Sequence, residues 1–154
     1  MVTSSSHIYI LTGEIQSGKT TRLAEWCKTH AAAGILTPVI FGKRHFLDIA
    51  TQEIFLMESY GHEESLKVGK YSFSKSAFDR ASKILKEALQ KNTGTVIIDE
   101  IGPLELRGEG FYEVMKMVAE AKGCKVILVI RKSILYKAVV KFELVEYFEW
   151  KEGK

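Results

Sequence analysis

Residues 13–20 read Gly-Glu-Ile-Gln-Ser-Gly-Lys-Thr, a G-x-x-x-x-G-K-T spacing that suits the holding of phosphate. The glycines let the backbone curl so that successive N–H groups point inward, and a helix starting just after adds its partial positive charge. In such a loop Gly13, Glu14, Ile15, Gln16, Ser17, Gly18, Lys19, Thr20 and Thr21 would surround the phosphates of a nucleoside triphosphate. Lys19 would reach the β- and γ-phosphates, and the Thr20 hydroxyl would ligate Mg²⁺. The bland alternative is a glycine turn with a solvated lysine. About eighty residues further on, Thr95-Val96-Ile97-Ile98-Asp99-Glu100 is an apolar run ending in two carboxylates. Asp99 is placed to hold the Mg²⁺ shell through water. Glu100 can orient and deprotonate a water attacking the phosphorus, since hydrolysis needs a base within hydrogen-bond reach of the nucleophile. Two acids at a strand end could instead be solvated or cap a helix.

These residues need elements to hold them. Ile8, Ile10 and Leu11 give a short buried-strand signal ending at Thr12, and from Thr20 the pattern turns helical through Leu23, Ala24, Trp26, Cys27 and Ala31, with Gly34 as its stop. The run before Asp99 reads as a strand covered on both faces, whose polar end falls at the carboxyl edge of a parallel sheet, where ligands bind. Between them, Ile35–Phe41, His45–Ile49 and Ile54–Glu58 read as an antiparallel meander beside that sheet. Gly61 to Lys70 reads as a polar loop, and Tyr71-Ser72-Phe73 as a short strand. Ser74 then caps an amphipathic helix carrying Phe78, Ala81, Ile84, Leu85, Ala88 and Leu89, which ends near Asn92 and Gly94. Gly102-Pro103 opens a loop, Phe111, Val114, Met115 and Val118 mark a helix ended by Gly123, and Lys125–Ile130 is a buried strand. Ser133–Val140 reads as a short helix and Leu144–Trp150 as a terminal strand. The sum is a three-layer α/β fold with a mixed sheet, in one domain over residues 1–154.

Composition agrees. With 154 residues, 46% of them apolar, the chain can bury one substantial core and is too short for two full domains. The net charge of +3, from 22 basic and 19 acidic residues, is mild, and the basic residues come in pairs such as Lys43-Arg44. No nucleic-acid partner is expected. Met1 to Ser6 lacks a signal-peptide core, and the apolar runs are strand-length, so no membrane span or membrane partner is expected. Cys27 and Cys124 have no metal or redox spacing and read as buried thiols of a reducing compartment, the cytoplasm. Nothing specifies an oligomeric state.

Taken in order, Gly13–Thr20, Thr37-Pro38, Val68-Gly69-Lys70-Tyr71 and the run Asp99-Glu100-Ile101-Gly102-Pro103-Leu104-Glu105-Leu106 resemble the small P-loop nucleoside-triphosphatases of the thermophile-type and human cancer-related kind. The extension after Asp99-Glu100 is the specific part of that resemblance. It implies a RecA-like P-loop fold with a mostly parallel sheet and slow, Mg²⁺-dependent hydrolysis of several nucleoside triphosphates, ATP and GTP among them. It also implies Lys19 and Thr20 on the phosphates and metal, Asp99 on the metal, and Glu100 near the attacking water. The chain departs from the family after Thr37-Pro38, where a longer charged stretch is usual and Val39–Arg44 is short and more apolar. Contacts from that segment to the nucleotide are left open.

Other residues carry weaker signals. Arg131 follows a strand that in RecA-like sheets commonly lies between the two phosphate-site strands, so it either meets charge on the γ-phosphate or is a solvated strand end. Glu105 either belongs to the site or braces the Gly102-Pro103 loop. Tyr71 and Phe73 could stack on a base or serve the core, and His7, His30, His45 and His62 share no useful spacing. A small-molecule kinase would need an acceptor site and usually a basic lid, yet the five arginines at 22, 44, 80, 107 and 131 are scattered. A guanine switch would need Asn-Lys-x-Asp, which the sequence lacks. A nucleotide-binding adaptor without turnover stays open, and Asp99-Glu100 favours hydrolysis over it.

Overall fold

The computed structural model describes residues 7–13, 18–59, 61, 63–144 and 146–151. Strand β1 (Ile8–Gly13) leads toward helix α1 (Lys19–Cys27), and β2 (Ala33–Leu36) follows. The meander is β3 (Val39–Ile40), β4 (Lys43–Asp48) and β5 (Ile54–Leu56). Then come a hairpin of β6 (Ser65–Val68) and β7 (Tyr71–Ser74), the long helix α2 (Lys75–Gln90) and strand β8 (Thr95–Ile101). Two short helices, α3 (Pro103–Leu106) and α4 (Tyr112–Val118), precede β9 (Lys125–Arg131). Helix α5 (Leu135–Lys141) and β10 (Phe148–Glu149) complete the chain.

Among the described residues the main sheet has eight strands in the order β10-β1-β9-β8-β2-β4-β3, with β5 paired to β4. Strands β10, β1, β9, β8 and β2 run parallel, whereas β4 is antiparallel to β2, β3 and β5. The sheet is therefore mixed and mostly parallel, with the meander on one edge, as the sequence pattern predicts. Its unbroken apolar runs follow from cover on both faces. Along β8 and β9, Val96, Ile98, Val126, Leu128 and Ile130 face a core shared with Phe78, Leu85, Val114 and Ala138 from α2, α4 and α5. The alternate residues Ile97, Ile127 and Val129 face a second core with Leu23 and Trp26 of α1. Each large apolar side chain so buried contributes about 1.5–3 kcal/mol.

Several boundaries differ from the sequence reading. Helix α1 ends at Cys27, and Gly34 lies inside β2. There its φ is +115°, and a Cβ would stand 2.2 Å from the Ile97 carbonyl oxygen across the β2–β8 pairing. Close approach of two backbones, rather than helix termination, sets that glycine. The run from Ile35 to Phe41 is two strands, interrupted at Thr37-Pro38, because proline has no N–H to donate. The stretch read as a polar loop holds β6, in which buried Leu66 pairs with Phe73; two apolar residues in alternation give too faint a signal. Helix α3 occupies the expected Gly102-Pro103 loop, with Pro103 at its first position, where a missing N–H is harmless. Helix α4 ends at Val118, well before Gly123, whose N–H instead donates to Asn92 Oδ1 at 2.8 Å. The terminal strand is confined to Phe148–Glu149, and Cys27 is only partly buried. Ser74 does cap α2, its hydroxyl accepting from the Ala77 N–H at 3.0 Å.

Candidate functional site

The carboxyl ends of β1, β9 and β8 stand side by side, and the chemistry-bearing residues gather there. Gly13 ends β1 in register with Arg131 of β9. Gly18, at φ +83°, precedes the first turn of α1, so Lys19 and Thr20 open the helix. That left-handed turn requires glycine. Glu14, Ile15, Gln16 and Ser17 lie outside the described residues, as does His62.

Lys19 is 6% exposed. Its Nζ lies 3.5 Å from the Gly13 carbonyl oxygen and 3.8 Å from Glu100 Oε2. The Thr20 hydroxyl donates to Asp99 Oδ2 at 2.7 Å, and the Thr37 N–H donates to the same oxygen at 3.1 Å. Arg131 brings its Nε to 3.9 Å from Glu100 Oε2. The carboxylate of Glu100 is thus flanked by two cations at distances looser than a hydrogen bond. The pairing of β8 with β9 shifts register between Asp99 and Ile101. Such an irregularity leaves Glu100 out of the ladder and re-aims its side chain, a common device beside active sites.

Burial sets the electrostatics. Asp99 is 1% exposed, and burial pushes its carboxyl above the usual range against the opposing hydrogen bonds from Thr20 and Thr37. Burial also raises Glu100, with Asp99 adding to it and Arg131, Lys19 and Arg44 acting the other way. A carboxylate raised in this manner is better matched to accepting a proton near neutral pH. The donor set at Thr20 and Asp99 is one hydroxyl and one carboxylate, which fits a hard cation that draws its remaining ligands from waters and phosphate oxygens. Among the described residues no three His, Cys, Asp or Glu stand together as a metal cluster.

A cavity of about 560 Å³ covers this edge, lined by Lys19, Thr20, Thr21, Asp99, Glu100 and Arg131 among others. The structure thus brings together Gly18, Lys19, Thr20, Thr21, Asp99, Glu100 and Arg131, with Gly13 at the adjoining strand end, and leaves Glu105, Tyr71 and Phe73 out of this lining. It also adds Arg44, which sequence reasoning passed over as one of the scattered arginines and which lines the same cavity. Strand β4 delivers it, with the Arg44 N–H donating to Glu58 Oε2 at 2.9 Å. The only local signal was the Lys43-Arg44 pair, and its placement depends on the meander's pairing. Thr37 had been visible only as half of a Thr-Pro pair.

Glu105 braces the structure. Buried, it accepts the Gly102 N–H at 2.7 Å and the Phe111 N–H at 2.9 Å, and burial pushes its carboxyl up to about 7. Three histidines make local contacts: His7 Nε2 lies 2.7 Å from the Val118 carbonyl oxygen, His30 stacks on Trp26, and His45 Nδ1 lies 2.9 Å from the Lys43 carbonyl oxygen. Phe73 is a core residue, whereas Tyr71 is 42% exposed.

Comparison with known proteins identifies the family and the fold. Residues 8–151 match the family model described as NTPase. The Nucleoside-triphosphatase THEP1 of Methanopyrus kandleri is 28% identical over 137 residues, 82% of this chain and 75% of that protein. The crystal structure of THEP1 from Aquifex aeolicus superposes with a TM-score of 0.72 at 22% identity, over 94% of this chain and 90% of that one. The solution structure of a human cancer-related nucleoside triphosphatase gives 0.69 at 18% identity, over 96% and 90%. With the match running from β1 past β10, the chain belongs to the NTPase family, enzymes that hydrolyse nucleoside triphosphates.

Proposed function

We propose that this chain hydrolyses nucleoside triphosphates, ATP and GTP among them, to diphosphate and phosphate, with Glu100 as the base that activates water. The observation that carries this reading is the position of Glu100, between Lys19 and Arg131 and next to the Asp99–Thr20 pair. In it, Lys19 and the backbone of residues 13–21 would hold the phosphates, and Thr20 and Asp99 would hold Mg²⁺. When bound, the ion neutralises charge on the β- and γ-phosphates. Glu100 takes a proton from the attacking water, while Arg131 and Arg44 meet the charge that develops on the transferring group. A raised carboxyl supports that role, since a base works best when its pKa nears the working pH. We read residues 1–154 as one such domain. Free Cys27 and Cys124 suit the reducing cytoplasm, and no helix is long and apolar enough to cross a membrane among the described residues.

The test replaces Glu100 with Gln, which keeps the shape and removes the basicity. Glu100→Gln should bind Mg²⁺-triphosphate about as well as the parent and release phosphate about a hundredfold more slowly, the usual size of a general-base effect. Single-turnover phosphate release beside equilibrium nucleotide binding reads both quantities. Equal release rates would remove Glu100 from the mechanism.

A further inference from the structure

A second cavity, of about 260 Å³, adjoins the first and shares Arg44, Glu100 and Arg131 with it. Beyond those three residues the two differ in character. The walls of the second include Met57, Phe73, Phe78 and Leu104 together with the half-exposed Tyr71, and Lys70 and Glu105 line it as well. Its framework is the β6–β7 hairpin, in which Val68 pairs with Tyr71 across a turn whose Gly69 takes φ +57°. Tyr71 and Phe73 present near-parallel rings, their centroids 5.9 Å apart and their planes inclined by 4°. Helix α2 supplies Phe78 and helix α3 supplies Leu104, the latter helix held in place by Glu105.

Hydrolysis does not need this chamber. An attacking water occupies about 30 Å³ and prefers polar neighbours, whereas the 260 Å³ here are walled mainly by aromatic and aliphatic groups. A mostly apolar hollow that shares its charged Glu100, Arg44 and Arg131 with the first cavity suits a ligand with an apolar body and one reacting polar group. The volume falls just under the roughly 300–1,000 Å³ of small-ligand sites, so a single ring fits better than a nucleotide. Aromatic walls favour a ring that can stack or meet an edge.

We propose that this chamber binds a small, neutral aromatic alcohol as a phosphoryl acceptor, so that the chain can transfer the γ-phosphoryl group to a carbon-bound hydroxyl as well as to water. The proposal rests on the nucleotide site described under the proposed function. The alcohol oxygen attacks the γ-phosphorus and forms a new O–P bond. The bond from that phosphorus to the β,γ-bridging oxygen breaks, and its electron pair leaves with the nucleoside diphosphate. The hydroxyl proton passes to the Glu100 carboxylate and then to solvent. The products are a phosphate monoester and a nucleoside diphosphate, with no change of oxidation state.

The protein is incubated with Mg²⁺ and γ-³²P-ATP in the presence of benzyl alcohol, 3-pyridinemethanol or 4-hydroxyphenethyl alcohol, with ethanol as the ringless comparison. Labelled ester and labelled inorganic phosphate are separated and their ratio measured. With at least one aromatic alcohol the ester-to-phosphate ratio should rise and saturate with concentration. With ethanol it should stay far lower. Tyr71→Ala should then reduce the ratio for that alcohol by about tenfold, the effect of losing one stacking partner. Both products come from the same loaded molecules, so a partly misfolded preparation does not alter the ratio. Inorganic phosphate as the sole product with all three alcohols overturns the acceptor site and leaves the hydrolase reading standing. Ester formed equally well with ethanol, or unaffected by Tyr71→Ala, also overturns it. Absence of both products removes the nucleotide site on which the proposal depends.

Discussion

Glu100 sits among three cations whose sources are far apart in the chain: Lys19 from α1, Arg44 from β4 and Arg131 from β9. In the proposed mechanism Lys19 grips the phosphates in the ground state, whereas the two arginines, delivered by β4 and β9, meet charge that develops later. Arg131→Ala and Arg44→Ala should each lower kcat by roughly tenfold or more with a smaller change in nucleotide affinity, because charge that develops only in the transition state is felt in kcat. Steady-state kinetics beside binding measurements decide it, and a variant that changes neither quantity has only a structural arginine. Glu105 makes a different prediction. Its carboxyl is pushed up to about 7 from 4.5 by burial. The folded protein therefore binds a proton there more tightly than the unfolded chain does, so this contribution to stability is full below pH 4.5 and is lost as pH rises through about 7. Linkage over that interval amounts to at most about 3 kcal/mol. Glu105→Gln forfeits one of the two backbone hydrogen bonds but cannot ionise. The parent should thus lose stability relative to the variant by about 1–3 kcal/mol between pH 5 and pH 8 in denaturant titrations. A difference that stays flat with pH would contradict the assignment.

At the scale of elements, the approach of β2 to β8 decides where Thr37 sits, since Thr37 follows directly on β2 and donates to Asp99. Gly34 is the contact point of that approach. Its backbone has a positive φ, and a Cβ would meet the backbone of Ile97 rather than a movable side chain. Gly34→Ala should destabilise the fold by about 3 kcal/mol or more, from strain and overpacking together. Thermal unfolding of the purified variant measures it, and a loss under about 0.5 kcal/mol would mean that the two strands slide apart freely. A similar logic holds at Gly110, where φ is +62° and a Cβ would lie 2.3 Å from Glu105 Oε2. The helices play a simpler part. Helix α2 buries Phe78, Ala81, Leu85 and Leu89 against the sheet, and its N-terminal end carries Phe78 to the second cavity.

For the molecule as a whole, the groups that converge on the larger cavity would, in the proposed mechanism, address phosphate, metal and water. Among the described residues Ala24, Glu25, Pro38 and Val39 also line that cavity, and Glu25 is the one polar side chain of these four. ATP and GTP should therefore be hydrolysed with kcat/KM values within about tenfold of each other, a difference near 1.4 kcal/mol. A thousandfold preference in steady-state assays would reveal a base reader that this wall does not suggest. Such tolerance also fits the proposal that selectivity lies in the smaller chamber.

The sequence alone was enough to place Lys19, Thr20, Asp99 and Glu100 in one site, because their chemistry is written in short runs. A glycine turn before a helix and an apolar strand ending in acids each specify their own geometry within a few residues. The same locality made the α2 cap at Ser74, the two-faced strands β8 and β9 and the antiparallel meander legible. Arg131 was half legible: the resemblance put its strand between β1 and β8, where it lies, but left the side chain open between a γ-phosphate contact and a solvated strand end. What the tertiary structure decided depends on pairing between distant segments. Arg44 enters the site only because β4 lies antiparallel to β2, and Thr37 reaches Asp99 across 62 positions of sequence. Glu105 becomes a brace only once Phe111 folds back over it. The hairpin of β6 and β7 stayed hidden because one strand shows just two alternating apolar residues, and its order comes from pairing with Phe73 and Tyr71. The chamber beside Glu100 needs the hairpin, α2 and α3 at once, and no single stretch of sequence contains a cavity.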